Sequence, residues 1–155
     1  MMNDEKYMLR ALELAALAAE QGEVPVGAVI VKQSTGEIVG EGFNRRELDK
    51  SPLAHAEIIA IDSASRKLGG WRLVDCAMYV TLEPCPMCTG AIINSRIERV
   101  VFGASDPKAG SCGSVVDLFS YPYNHIPQIE GGLMAEECSK ALSDFFRELR
   151  RSKKA

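Results

Sequence analysis

No apolar run in these 155 residues approaches the roughly 20 that a helix needs to cross a bilayer, so a helical membrane span is excluded. The opening residues, Met1-Met2-Asn3-Asp4-Glu5-Lys6, are acidic where a secretory leader is basic and then apolar, so no signal peptide is expected. Cysteine is scarce and odd in number. Five residues (Cys76, Cys85, Cys88, Cys112 and Cys138) do not make a disulfide framework. Cys-x-x-Cys occurs once, which excludes a zinc ribbon built from two such pairs. These absences point to a cytoplasmic protein. The chain also lacks internal repeats and Pro/Gly-rich linkers, and its 46% hydrophobic content suits one globular domain spanning residues 1–155.

Net charge is −3, but the basic residues are unevenly spread. Arg147, Arg150, Arg151, Lys153 and Lys154 crowd the last nine positions; setting these five aside leaves 13 basic residues against 21 acidic ones, or −8. A local basic patch matters more to a phosphate backbone than global charge does. The same cluster would also suit a helix C-terminus, whose dipole favours cations.

Apolar periodicity predicts an α/β chain. Met8, Ala11, Leu12, Ala15, Ala18 and Ala19 recur at helical steps, so a helix is expected over 4–21, stopped by Gly22. Val24 to Val31 is almost continuously apolar, as a strand covered on both faces would be. Ser34-Thr35-Gly36 turns it into a second strand, Glu37 to Phe43. A second helix is expected over 54–68 with Ile58, Ile61 and Leu68 inward, then a strand over 77–82 and a helix from Pro84 to about Ser95. Val100 to Phe102 reads as a fourth strand, and 104–132 as loop with a short helix near 115–119. The last helix, 135–151, carries Cys138, Ala141, Leu142, Phe145, Phe146 and Leu149 at helical spacing. Alternating strands and helices imply a layered domain around a central sheet.

The chemistry concentrates in His55-Ala56-Glu57 and, further on, Pro84-Cys85-Pro86-Met87-Cys88. His55, Cys85 and Cys88 supply three zinc ligands, and Glu57 is a carboxylate that need not be one. Structural zinc normally has four protein ligands, whereas catalytic zinc keeps a position open. Cys85 and Cys88, three residues apart, share a helix face. A helix N-terminus there would help hold them as thiolates. This spacing is the signature of zinc deaminases of nucleobases, and the mechanism expected here is carried over from them. Glu57 would take a proton from metal-activated water and deliver it to the ring nitrogen and then to departing ammonia. A closed site using Cys76 or Cys112 as a fourth ligand is the non-catalytic alternative.

Beyond the ligands, the sequence resembles the bacterial tRNA-specific adenosine deaminases over nearly its whole length. Glu23-Val24-Pro25-Val26-Gly27-Ala28-Val29, Gly42-Phe43-Asn44-Arg45 and Ala54-His55-Ala56-Glu57 carry the resemblance. So do Tyr79-Val80-Thr81-Leu82-Glu83-Pro84-Cys85, Ser95-Arg96, Val100 to Ala104, Asn124-His125 and Leu142 to Arg147. The resemblance implies a three-layer α/β/α cytidine-deaminase-like fold with a five-stranded mixed sheet, assembled as a homodimer with one Zn²⁺ per subunit. It implies that wobble adenosine in a tRNA anticodon loop becomes inosine. Asn44 would contact the flipped base, and Val26 and Ala28 would line its pocket. Asp106 and Lys108 would meet anticodon sugar and phosphate, and Asn124, Phe146 and Arg147 the rest of the loop. Residue chemistry alone leaves other readings open. Asn44 and Asp106 also suit turns, Phe145 and Phe146 also suit a core, and the same catalytic residues serve a free nucleobase or nucleoside deaminase of guanine or cytosine type. A zinc-stabilised interaction module without catalysis is the remaining reading.

Overall fold

The computed structural model describes residues 3–154. Helix α1 spans Asp4–Glu20, with the Asn3 side chain accepting from the Lys6 amide and Asp4 and Glu5 in the positively polarised first turn. Its buried face, Tyr7, Met8, Ala11, Leu14, Ala15 and Ala18, follows the helical period. Strand β1 (Gly27–Lys32) starts later than expected, because Val24-Pro25-Val26 turns on itself through Val26 N–H to the Val24 carbonyl. Strand β2 (Ile38–Phe43) returns antiparallel. Then come α2 (Ala56–Leu68), β3 (Cys76–Leu82), α3 (Pro86–Ser95), β4 (Arg99–Ala104), β5 (Gln128–Gly131) and α4 (Ala135–Lys154). A 3₁₀ turn at Leu118–Ser120 takes the place of the short helix expected just before it.

The sheet order is β2-β1-β3-β4-β5, with antiparallel pairs at β2-β1 and β1-β3 and parallel pairs at β3-β4 and β4-β5. The sheet is therefore mixed and five-stranded. Side chains alternate across it. Val29, Val31, Tyr79 and Val101 join α1 and α4 in one core, while Ala28, Ile30, Met78, Val80 and Val100 join α2 and α3 in the other.

Three expectations need correction. The buried side of α2 is Ala56, Glu57, Ala60 and Ala64; Ile58 and Ile61 are half-buried and Leu68 is exposed. The cause lies in β2, where a Cβ at Gly40 or Gly42 would stand 2.4 Å from the carbonyl oxygens of Ala60 and Ala56. Backbone approaches that close set the Ala56 and Ala60 backbone directly against the strand. Helix α3 begins at Pro86, not Pro84, with Cys85 as its N-cap and the proline where a missing N–H costs little. Among the described side chains of α4 only Cys138 is buried, beneath Gly103; Phe145 is half-buried, and Phe146 and Leu149 are exposed, which rules out the alternative of a core role for Phe146. The helical spacing of its apolar residues is real, but most of the helix extends beyond the sheet that would cover them. Strand β5 carries one inward apolar residue, Ile129, and so left no strand pattern to read.

Candidate active site

His55 caps α2 and Cys85 caps α3, both in extended conformation (ψ 151° and 175°). That geometry explains how residues two apart, His55 and Glu57, address one cavity: His55 lies outside the helical spiral and Glu57 is inside its first turn. Cys88 follows on the first turn of α3. The His55 Nδ1 stands 3.6 Å from the Cys85 sulfur and 3.5 Å from the Cys88 sulfur. Donors bound tetrahedrally to zinc at about 2.1 and 2.3 Å would be about 3.6 Å apart, so the residues fit one Zn²⁺. Among the described residues this is the one group of three or more His, Cys, Asp or Glu with donor atoms all within 4.8 Å of one another. Cys76 is wholly buried at the start of β3, and Cys112 lies against the Thr89 hydroxyl at 3.6 Å, outside the cluster. Neither closes the site.

The electrostatics suit a cation. A hydrogen bond from Cys88, assisted by His55, draws the Cys85 thiol down to about 4. Its thiolate in turn drives the Cys88 thiol far up, with burial adding to the effect. The hydrogen bond with Cys85 also raises His55. Negative charge and displaceable protons thus meet at one point, and a divalent ion would release those protons on binding. Glu57 is almost fully buried, and burial followed by the Cys85 charge raises its carboxyl to about 7.

A cavity of about 220 Å³ opens over this cluster, with His55, Glu57 and Cys85 among its lining residues. Drug-sized ligands occupy about 300–1,000 Å³, so the space suits a single base better than a larger ligand. Val24, Val26, Asn44 and Arg46 line one side, Asp106 and Ala109 another. The Asn44 amide donates to the Val24 carbonyl at 3.1 Å, and its Oδ1 accepts from the Arg46 amide at 3.1 Å. One N–H and one acceptor position remain for a ligand. Asp106 also serves a turn, accepting from the Lys108 and Ala109 amides.

The predicted residues His55, Glu57, Cys85, Val26, Asn44 and Asp106 therefore share one cavity, and Cys88 lies buried behind it. Ala28 does not line it: it is fully buried in β1, facing the α2–α3 core, and Val24 takes the wall instead. Lys108 is exposed, two residues beyond Asp106. Asn124, Phe146 and Arg147 are not among the lining residues of this chain's cavity. Asn124 precedes His125, which bonds the Ile97 carbonyl near the start of β4, at the far end of the sheet from Cys85. Phe146 and Arg147 ride on α4, across the sheet from α2 and α3. The Lys154 side chain of the basic cluster lies outside the described residues. Sequence reasoning missed Arg46 and the buried acids Glu23 and Glu83. Their signal was there: each acid interrupts an apolar, proline-containing stretch (Glu23-Val24-Pro25, Leu82-Glu83-Pro84).

Residues 1–104 match the family model for the cytidine and deoxycytidylate deaminase zinc-binding region. A tRNA-specific adenosine deaminase of Bacillus subtilis is 50% identical over 156 residues, covering 100% of this chain and 96% of that protein. A solved structure from a study of A-to-I editing by tRNA:A34 deaminases at the wobble position is 42% identical, with a TM-score of 0.85 over 88% of this chain and 99% of that one. The guanine deaminase of the same Bacillus is 36% identical, with a TM-score of 0.65 over 97% and 95% of the two chains. With its three zinc donors and buried glutamate in place, this chain belongs to the zinc-binding cytidine and deoxycytidylate deaminase family and, within it, to the tRNA-specific adenosine deaminases.

Proposed function

We propose that the protein hydrolyses the wobble adenosine of a tRNA anticodon loop to inosine, consuming one water and releasing one ammonia. The observation that carries this is the convergence of His55, Cys85 and Cys88 with the buried carboxyl of Glu57 at a base-sized cavity. Zinc held by such a cluster acts as a Lewis acid that makes water a nucleophile at neutral pH. Glu57 would accept a proton from the attacking water as its oxygen bonds C6, pass it to the purine N1, then take the proton of the new C6 hydroxyl and deliver it to the amine as the C6–N bond breaks and the carbonyl forms. Asn44 offers its remaining N–H and acceptor position to the base, with Val26 packed against it. An unpaired loop base reaches the cavity cheaply, because little pairing or stacking is lost on extrusion.

Asp106 and Lys108 receive the adjoining sugar and phosphate. Asn124, Phe146 and Arg147 meet the anticodon loop outside the base cavity, on a homodimer in which both subunits face each RNA. Residues 1–155 act as one catalytic domain. No helix among the described residues is long and apolar enough to cross a membrane, and a tRNA substrate assigns the work to the cytoplasm.

The likeness to a guanine deaminase favours a second reading, in which the substrate is a free base. A short anticodon hairpin with a wobble adenosine, assayed beside free adenosine, cytidine, cytosine and guanine, separates the two. Inosine in the hairpin alone is the expected result; turnover of guanine with the hairpin untouched would overturn the tRNA reading. Glu57→Ala should keep its zinc and lose about 10²–10⁴-fold in turnover.

A further inference from the structure

Two buried carboxylates, Glu83 in the cavity lining and Glu23 outside it, take no part in that chemistry. Glu83 is 2% exposed and Glu23 1%. Glu83 accepts from the amides of Asp106 (3.0 Å), Cys112 (3.0 Å) and Ser114 (3.1 Å), and from the Ser114 hydroxyl (2.5 Å). Glu23 accepts from the amides of Glu47 (3.1 Å) and Leu48 (2.7 Å).

Each acid is held by regular structure and grips an irregular segment. Glu23 N–H bonds the last turn of α1 at Ala18, and Glu83 N–H bonds the end of β4 at Ala104. The gripped segments are the two sides of the cavity. One carries Asn44 and Arg46, the other Asp106 and Ala109. Beyond Asn44 and Arg45, whose amides bond the Val26 and Ala54 carbonyls, the first segment has no strand or helix of its own, and the second has none. Gly110 shows how closely the second is drawn in, since a Cβ there would lie 2.4 Å from the Glu83 carboxyl carbon. Burying a carboxylate is costly unless hydrogen bonds compensate, and here backbone amides provide them.

We propose that Glu83 and Glu23 are positioning residues that hold the two cavity walls independently. Glu83 sets the Asp106 wall and Glu23 the Asn44 wall. What each wall receives rests on the reading above: sugar and phosphate at the first, the base at the second. Losing Glu83 therefore weakens substrate binding, whereas losing Glu23 disorients a substrate that still binds.

The test uses zinc-loaded Glu83→Gln and Glu23→Gln enzymes, whose new NH₂ group opposes N–H donors. Amide hydrogen exchange should quicken about tenfold at residues 106, 112 and 114 in the first variant and at 47 and 48 in the second, each leaving the other set unchanged. On the hairpin, Glu83→Gln should raise KM about tenfold with kcat nearly kept, and Glu23→Gln should lower kcat about tenfold with KM nearly kept. Zinc content should match the wild type in both. Exchange that is unchanged, or quickened throughout the molecule, would overturn the proposal, as would equal changes in KM and kcat for the two variants. If Glu83→Gln does not fold, Ser114→Ala removes one of the four donors and should quicken exchange at 114 and at 106, whose amide shares the hydroxyl's Glu83 oxygen; no local change there counts against the clamp. If the wild type leaves the hairpin untouched, the tRNA reading fails while the exchange pattern still decides whether these acids position the walls.

Discussion

A methyl group added by Gly42→Ala would stand 2.4 Å from the Ala56 carbonyl oxygen and 2.9 Å from the Ala60 nitrogen. Carbon–oxygen contacts need about 3.3–3.6 Å, so the start of α2 must retreat from β2 by about 1 Å. Ala56 lies between His55 and Glu57, and the displacement therefore falls on a proposed zinc ligand and on the proposed proton carrier together. Overpacking of this kind costs about 1–3 kcal/mol, or about 2–12 °C of Tm for a chain of this size. The effect on turnover should be larger, since a misplacement of about 1 Å costs about 10²-fold. Gly40→Ala is the internal control: its methyl would meet the Ala60 carbonyl at the same 2.4 Å, one turn further from the ligands. The two variants should melt alike, while Gly40→Ala loses less than about tenfold in kcat. Thermal melts, zinc per chain and hairpin turnover on both proteins make the comparison. Equal activity losses at equal Tm, or a fully active Gly42→Ala, would refute the claim that this glycine sets the site through α2.

Three further outcomes are expected. Cys112→Ala should keep one zinc per chain after dialysis and Cys88→Ala should lose it; zinc loss in the first would restore Cys112 as a ligand. Replacing Arg147, Arg150 and Arg151 together by glutamine should reduce the slope of log binding against log salt by about 2, at about 0.7 per phosphate contact on single-stranded RNA; an unchanged slope would put the phosphate contacts elsewhere. Asp4 accepts two hydrogen bonds from Arg99 (2.9 and 2.8 Å) and one from the Tyr79 hydroxyl, and the Arg99 bonds outweigh burial in holding its carboxyl below 3.8. A folded pKa depressed in this way contributes stability above the unfolded value that disappears as pH falls through the folded one. Asp4→Asn should thus lower stability by about 1–2 kcal/mol at neutral pH, with the gap closing below about pH 4; a gap independent of pH would contradict the ion pair as its source.

Much of this molecule was legible because the relevant signals are short in range. The period of Met8, Ala11, Ala15 and Ala18 located α1, and the apolar run ending at Val31 marked a strand buried on both faces. The inward side of α2 is only partly legible: Ile61 packs against the core as expected, but the fully buried positions are Ala56, Glu57, Ala60 and Ala64. The close approach is set by Gly40 and Gly42, which are distant in sequence and bring the α2 backbone at Ala56 and Ala60 onto β2. In α4 the period located the helix but left open whether its apolar face is covered, since periodicity reports a face and says nothing of its partner.

By itself the sequence singled out His55, Cys85, Cys88 and Glu57, which the fold brings together. Cys85 and Cys88 are brought together by a single helical turn, and His55 and Glu57 are separated by one residue at a helix start, so local geometry does most of the work. Tertiary structure alone decided what surrounds them. It seated Val24 in the wall and Ala28 in the core, put α4 across the sheet from the cavity, and brought Glu23 to residues 47 and 48 and Glu83 to residues 106 to 114. Those contacts join segments more than 20 residues apart, and only the folded sheet, by pairing the start of β1 with the end of β2 and the end of β3 with the end of β4, makes them neighbours.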